Sequence, residues 1–262
     1  MSSETKILFG FHAVGVRLKT APSTILEVYA DPTRRDVRMR QFLQRAREAG
    51  VRVIEADGPR LAKLAGGANH QGVVARVQPV AQARTLDDLL DQLDARSEPE
   101  RRSDPPLLLV LDGVTDPHNL GACLRVADGA GAHAVIAPKD QSCGLTATVA
   151  KVASGAAETV PYFMVTNLAR TLEALKQRGL WIIGTSDDAP RSLHQHDWRG
   201  PVAVVLGSEG KGIRPLVRRT CDELVSIPMR GVVESLNVSV ASAVCLYEAV
   251  RQRLAASSTA PA

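Results

Sequence analysis

Rings are scarce in this 262-residue chain: Phe, Trp and Tyr together make up 3% of it. Base stacking on exposed aromatic faces therefore cannot dominate any nucleic-acid contact, and phosphates and shape would have to carry more of the binding. Cysteine is sparse as well. Cys123, Cys143, Cys221 and Cys245 stand apart with no CxxC pair, which argues against a disulfide framework or a zinc site and for reduced thiols in a cytoplasmic protein. The longest apolar runs, such as 107–111 and 202–206, are far too short to span a bilayer. No charged-then-apolar leader opens the chain, so the expectation is a protein neither secreted nor embedded in a membrane. What is present is an ordinary apolar fraction, 45%, enough for a sizeable core in one large or two ordinary domains.

The formal charge of +4 is unevenly placed. Residues 1–80 hold 13 Lys and Arg against 7 Asp and Glu, residues 81–106 hold 4 against 7, and residues 107–262 hold 15 against 14. A basic front end beside a near-neutral body points to an anionic macromolecule as partner, although a solvated basic face would look the same.

Periodicity divides the chain in three. Residues 1–80 alternate helix (10–18, and the basic 37–49) with short strands (26–30, 51–54, 72–77), a small α/β unit. Residues 81–106 contain a short acidic amphipathic piece, 86–93, then Ser, Pro and charge without apolar period, and read as an exposed linker. From 107 onward strands at 107–111, 134–137, 181–184 and 202–206 alternate with helices at 119–130, 146–154 and 168–178, the pattern of a parallel sheet covered on both faces. A last helix is expected from 237 to 254, with Val240, Val244 and Tyr247 on one face, and a disordered tail over 255–262.

Several standard motifs fail. Gly207-Ser-Glu-Gly-Lys-Gly212 has neither the glycine spacing nor the Ser or Thr after Lys of a phosphate loop, nor is it GxSxG. No GxGxxG follows a strand. His194 and His196 lack a third ligand nearby and read as a solvated loop. Three turns that follow apolar strands carry chemistry instead: one bearing Asn119 and Arg125, one bearing Glu209, and one bearing Ser235 and Asn237. Open α/β sheets place ligands at such an edge, and glycine lets backbone amides approach a bound adenine. Each loop alone could be a plain turn with Asn119, Ser235 and Asn237 as helix caps and Glu209 as a helix-start acid. Three together favour a site.

The segments Asp116-Pro-His-Asn-Leu-Gly-Ala-Cys-Leu-Arg125, Leu206-Gly-Ser-Glu-Gly-Lys-Gly-Ile213 and Ile227-Pro-Met, continuing to Ser235-Leu-Asn-Val-Ser-Val240, resemble the three signature motifs of SpoU-family ribose methyltransferases, in the family's order. Phe9-Gly-Phe-His-Ala-Val14 and Ala68-Asn-His-Gln-Gly72 resemble the ribosomal-protein-like substrate-binding domain of the same enzymes.

The resemblance implies an α/β fold with a small N-terminal ribosomal-protein-like domain at 1–80, a linker at 81–106 and a SPOUT methyltransferase domain at 107–262 whose C-terminal part forms a deep trefoil knot. It implies S-adenosylmethionine as cofactor, held around Gly207, Ile227 and Leu236, no metal, and a homodimer. The implied reaction is 2′-O-methylation of a guanosine ribose in 23S rRNA. Alternatives are another RNA, such as tRNA or a different rRNA loop, and a non-catalytic RNA-binding assembly factor. Arg125, Asn119, Glu209, Ser235 and Asn237 match the polar catalytic positions. Because a guanidinium hardly deprotonates, Arg125 is read as gripping the neighbouring phosphate and stabilising the developing alkoxide, with Asn119 and Glu209 orienting it. Arg34, Arg35, Arg38, Asn69, His70 and Gln71 are the candidate RNA contacts.

Overall fold

The computed structural model describes residues 5–78 and 85–258, and the chain divides into two compact units, Met1–Gln82 and Ala83–Ala262. The first contains β1 (Lys6–Phe9), α1 (Phe11–Thr20), β2 (Ile25–Ala30), α2 (Val37–Glu48), β3 (Val53–Glu55), α3 (Gly58–Leu64) and β4 (Val73–Val77). Its sheet runs β1-β4-β2-β3, with β4 antiparallel to both neighbours and β2 parallel to β3. Side chains alternate across it as a strand's two-residue period demands. Val28, Ala30, Val73, Ala75 and Val77 face Phe11, Val14 and Leu18 of α1 and Met39, Phe42 and Ala46 of α2, whereas Tyr29 and Val74 face Leu61 of α3. Asp36 and Asp57 cap α2 and α3 through their side chains.

The second unit contains α4 (Leu86–Asp94), α5 (Glu98–Ser103), β5 (Leu107–Asp112), α6 (Pro117–Gly129), β6 (Ala134–Pro138), α7 (Ala147–Ala153), β7 (Tyr162–Val165), α8 (Leu168–Gln177), β8 (Trp181–Thr185), β9 (Arg191–Ser192), β10 (Val202–Gly207), α9 (Pro215–Thr220), β11 (Glu223–Ser226) and α10 (Val238–Ser258). The strand order is β7-β6-β5-β10-β8-β11-β9, and every pairing is parallel. The central strands β5 and β10 are buried on both faces, which is why they read as unbroken apolar runs. Leu107, Leu109 and Leu111 join one layer with α6, α7 and α10, and Leu108 and Val110 join the other with α4, α8 and α9.

Two expectations need correction. Residues 85–106 are not an exposed linker. Thr85 and Asp88 form a reciprocal capping box that starts α4, and Leu89, Leu90 and Leu93 are buried in the second unit's core. Arg178 clamps the helix from outside through Asp91 and Asp94, 2.7 Å each. The amphipathic piece read at 86–93 is α4, and its acidic outer face, followed by the charged, proline-bearing and exposed α5, concealed that its leucines are buried in the core. Likewise, 255–258 is no disordered tail: α10 continues to Ser258, and only 259–262 lie outside the described residues.

Candidate active site

Parallel strands end on one edge of the sheet, and here β5 and β10 end side by side, with Asp112 in register with Gly207. Pro117 and Asp116 start α6 immediately beyond β5, Asp116 capping His118 N–H. Asn119 is thereby set in the first turn. Asn237 opens α10: its carbonyl accepts from Ala241 N–H and its Oδ1 accepts from Ser239 N–H at 2.9 Å, a helix cap. The cap leaves its amide free to donate outward. Nδ2 donates to Asn119 Oδ1 at 2.9 Å and to Glu209 Oε1 at 2.6 Å, and Asn119 Nδ2 donates to the same Glu209 oxygen at 3.3 Å. The three loops singled out in the sequence are thus tied by one triangle of side chains. Asn237 is both cap and bridge.

A pocket of about 370 Å3 opens beside the triangle, within the range of small-molecule sites. Gly207, Ile227 and Leu236 line it, as do Glu209 and Ser235. Leu206, Met229 and Ala241 supply further apolar wall. Gly207 is the tight point: a Cβ there would stand 1.9 Å from the Gly212 carbonyl carbon and 2.2 Å from Ile213 N. Only glycine lets β10 run this close beneath the loop that follows it. Gly212 N–H donates back to Ser208 O at 2.9 Å and closes that loop.

Sequence reasoning missed the groups that hold the loop. Asp112, fully buried at the end of β5, accepts from Arg214 N–H (2.8 Å) and Nε (2.7 Å) and pairs with Nη2 at 2.7 Å. In the sequence it stands just past the strand read at 107–111, and its partner lies 102 positions away. A fourth loop, after β8, was also missed. Thr185, Ser186 and Asp187 line the pocket with Arg218, and Arg218 donates to Ser186 Oγ and to both oxygens of Asp188. Hydrogen bonds from Ser186 and then Arg218 hold the Asp188 carboxyl below the usual range.

Arg125 lies in the third turn of α6, exposed, with no hydrogen bond or ion pair among the described residues. Asn119 and Glu209 therefore do not orient it within this chain. Six helix positions turn it about 120° away from Asn119. Ser235 is exposed at the pocket's rim.

In the first unit, Arg34 and Arg38 both lie over the Phe11 ring, 4.9 and 4.6 Å from its centroid. Arg34 is also committed to the Gln71 carbonyl at 2.6 Å and to Asp36, so it shapes the loop rather than standing free. His70 Nδ1 accepts from Gly72 N–H at 3.1 Å. Arg35 and Asn69 are exposed and have no such partners among the described residues. His196 is not in a solvated loop: its ring is buried against Trp198 and bonded to Glu223 at 2.8 Å, because β11 passes alongside. Among the described residues no three His, Cys, Asp or Glu are grouped to hold a metal, and no helix is long and apolar enough to cross a membrane.

A parallel α/β unit with a side-chain triangle and a glycine-walled pocket at one sheet edge is the architecture of a small-molecule-using enzyme. Residues 106–247 match the model of the SpoU rRNA Methylase family, and residues 7–83 match that of RNA 2′-O ribose methyltransferase substrate binding. The chain is 62% identical over 251 residues to a Ralstonia nicotianae protein named 23S rRNA (guanosine-2′-O-)-methyltransferase RlmB, covering 96% of this chain and 97% of that one. It is 52% identical to the Vibrio cholerae protein of the same name, covering 97% and 99%. Among solved structures, an RNA 2′-O ribose methyltransferase superposes with a TM-score of 0.71 at 28% identity, over 97% of this chain and 90% of that one. AviRb of Streptomyces viridochromogenes, solved in complex with AdoMet, shares the fold with a TM-score of 0.68 at 23% identity, over 96% and 91%. The chain belongs to the SpoU rRNA methylase family.

Proposed function

We propose that this protein transfers a methyl group from S-adenosylmethionine to the 2′-oxygen of a guanosine ribose in 23S rRNA. The reaction class follows from the family, and the substrate from the printed names of relatives at 52–62% identity. The observation that carries it in this chain is the Asn119–Glu209–Asn237 triangle beside the glycine-walled pocket.

The pocket suits the cofactor: Gly207 lets the backbone of the following loop close tightly against β10 and form one wall, Ile227 and Leu236 give apolar wall, and the Thr185–Asp187 side supplies polar groups. When bound, S-adenosylmethionine supplies an electrophilic methyl on a sulfonium with a neutral leaving group. The protein's remaining task is to align the ribose hydroxyl and ease loss of its proton. Arg125, exposed and without a partner among the described residues, is available to hold the adjacent phosphate and stabilise the developing alkoxide. A phosphate oxygen or water takes the proton. The triangle ties the three loops together through Glu209 Oε1, while Glu209 Oε2 has no hydrogen-bond partner among the described residues.

The reading includes a homodimer that brings Arg125 of one protomer to the site, and a C-terminal trefoil knot around the pocket. The exposed apolar residues Val240, Tyr247 and Leu254 on α10 support a subunit contact. The boundary between domains lies near residue 80, Arg35, Arg38, Asn69, His70 and Gln71 meet RNA, and methylation of ribosomal RNA is work for a cytoplasmic protein. Transfer of labelled methyl to transcribed 23S rRNA, with the modified nucleotide mapped, tests the function. A single 2′-O-methylguanosine is expected. Label on tRNA alone would overturn the substrate, and cofactor binding without transfer to any RNA or ribosomal particle would overturn the enzyme.

A further inference from the structure

The first unit carries a second concave site on its helical face. α1 presents His12, Gly15, Val16 and Lys19, and α2 presents Arg38, Gln41, Phe42 and Arg45, each set at helical spacing along one stripe. The two stripes face across a groove of about 220 Å3. Phe11 and Phe42, packed edge to face with centroids 5.6 Å apart, form its floor.

Three features mark the groove as built for an anion. First, its cations are unspent: Lys19, Arg38 and Arg45 are exposed and have no ion pair among the described residues, and His12 is exposed beside them. No Asp or Glu lines it. Second, Arg38 is braced over the Phe11 ring rather than left to wander, so part of its ordering is already made. Third, Gly15 sits inside α1 with nothing within 4 Å of where its Cβ would be. No packing demands a glycine there, and in a helix interior it costs about 1 kcal/mol relative to alanine. What it does is keep the groove deep.

We infer that the α1–α2 groove seats the phosphate backbone of the RNA substrate, as a contact separate from the Asn69–Gln71 loop. Arg38 and Arg45 lie two turns apart, about 10 Å along the helix, so they reach different phosphates. With few rings to stack bases, the groove would add affinity without reading sequence. This rests on the methyltransferase reading and names where its substrate is held.

The test uses the full chain and a transcribed 23S rRNA fragment that the wild type binds and methylates, with affinity measured across salt concentrations. Lys19→Ala/Arg45→Ala should bind more weakly and lower the slope of log affinity against log salt by about 1 per cation removed. Arg40→Ala/Arg47→Ala removes equal charge from the flank of α2 that faces away from the groove and should leave the slope within error. Gly15→Gln, which fills the groove with a better helix former, should raise the melting temperature and weaken RNA binding. Equal losses in both double variants would assign the effect to net charge and overturn the groove, as would unaltered binding in Gly15→Gln and Lys19→Ala/Arg45→Ala. If the wild type binds S-adenosylmethionine but methylates no RNA, the underlying function fails instead, a result distinct from either.

Discussion

Replacing Gly207 by alanine isolates the close approach beneath the pocket loop. The new methyl would stand 1.9 Å from the Gly212 carbonyl carbon and 2.2 Å from Ile213 N, both backbone atoms that no rotamer can swing aside. Ordinary contact lies near 3.5 Å, so the loop must retreat by roughly 1.5 Å. That retreat breaks the Gly212 N–H to Ser208 O bond, about 1 kcal/mol, and adds overpacking strain of about 1–3 kcal/mol. A total of about 2–4 kcal/mol should lower the melting temperature by about 5–15 °C. Because the same loop walls the pocket, S-adenosylmethionine affinity should fall at least about tenfold, read by calorimetry. Gly210→Ala is the control. Its φ of +75° adds backbone strain of about 1 kcal/mol, but nothing lies within 4 Å of the added Cβ, so cofactor affinity should hold. A Gly207→Ala protein that melts within about 1 °C of wild type and binds the cofactor within twofold would refute the reasoning.

Other outcomes follow from the same geometry. Asp112→Ala strands Arg214 and frees the loop; a stability loss of about 2–3 kcal/mol is expected in denaturant titration, together with weaker cofactor binding, whereas an unchanged midpoint would remove Asp112 from the support of the site. Arg125→Lys should lose about 100-fold or more in turnover with cofactor affinity intact; near-normal turnover would end its assignment to the phosphate and alkoxide. Asn237→Ala removes a helix cap worth about 1 kcal/mol and both bridges to Asn119 and Glu209, so methyl transfer should drop by more than stability alone explains when assayed well below the melting point. Glu248, hydrogen-bonded first by Arg251 and then by Gln252, has its carboxyl lowered from 4.5 to about 2. A depressed folded-state value stabilises the protein above pH 4.5 and is lost as pH falls toward 2. Glu248→Gln should therefore show a shallower fall in melting temperature over that window, and a parallel curve would contradict the shift.

The site was legible where chemistry sits in short contiguous segments. Asn119 and Glu209 could be picked out because they follow the apolar strands β5 and β10, and Asn237 because it stands where the last helix, α10, begins. What joins them was not legible, since a hydrogen bond between positions 119 and 237 leaves no trace in local periodicity. The same limit hid Asp112 with Arg214 and the loop after β8. Among the strands, fully buried β5 and β10 stood out, whereas β7, with all four residues only half-buried, and the two-residue β9 did not. In the first unit β1 and α3 went unread, being four and seven residues long. α4 was misjudged for a different reason: its acidic outer face outweighed three buried leucines in a reading by composition.

Strand order also sets a timetable for synthesis. β1 closes on β4 once residue 77 is made, Lys6 lying against Val77, so the front unit can fold while most of the chain is still to come. β5 must wait for β10, with Leu107 against Val202, an interval of about 5–20 s at ordinary elongation rates. During that wait the most apolar strand of the protein has a neighbour in β6 on one side and an open edge on the other, the circumstance in which nascent chains aggregate or recruit chaperones. A polypeptide that stalls before residue 202 would thus emerge with its basic helices assembled and no methyl-transfer site, able to occupy RNA but not to modify it.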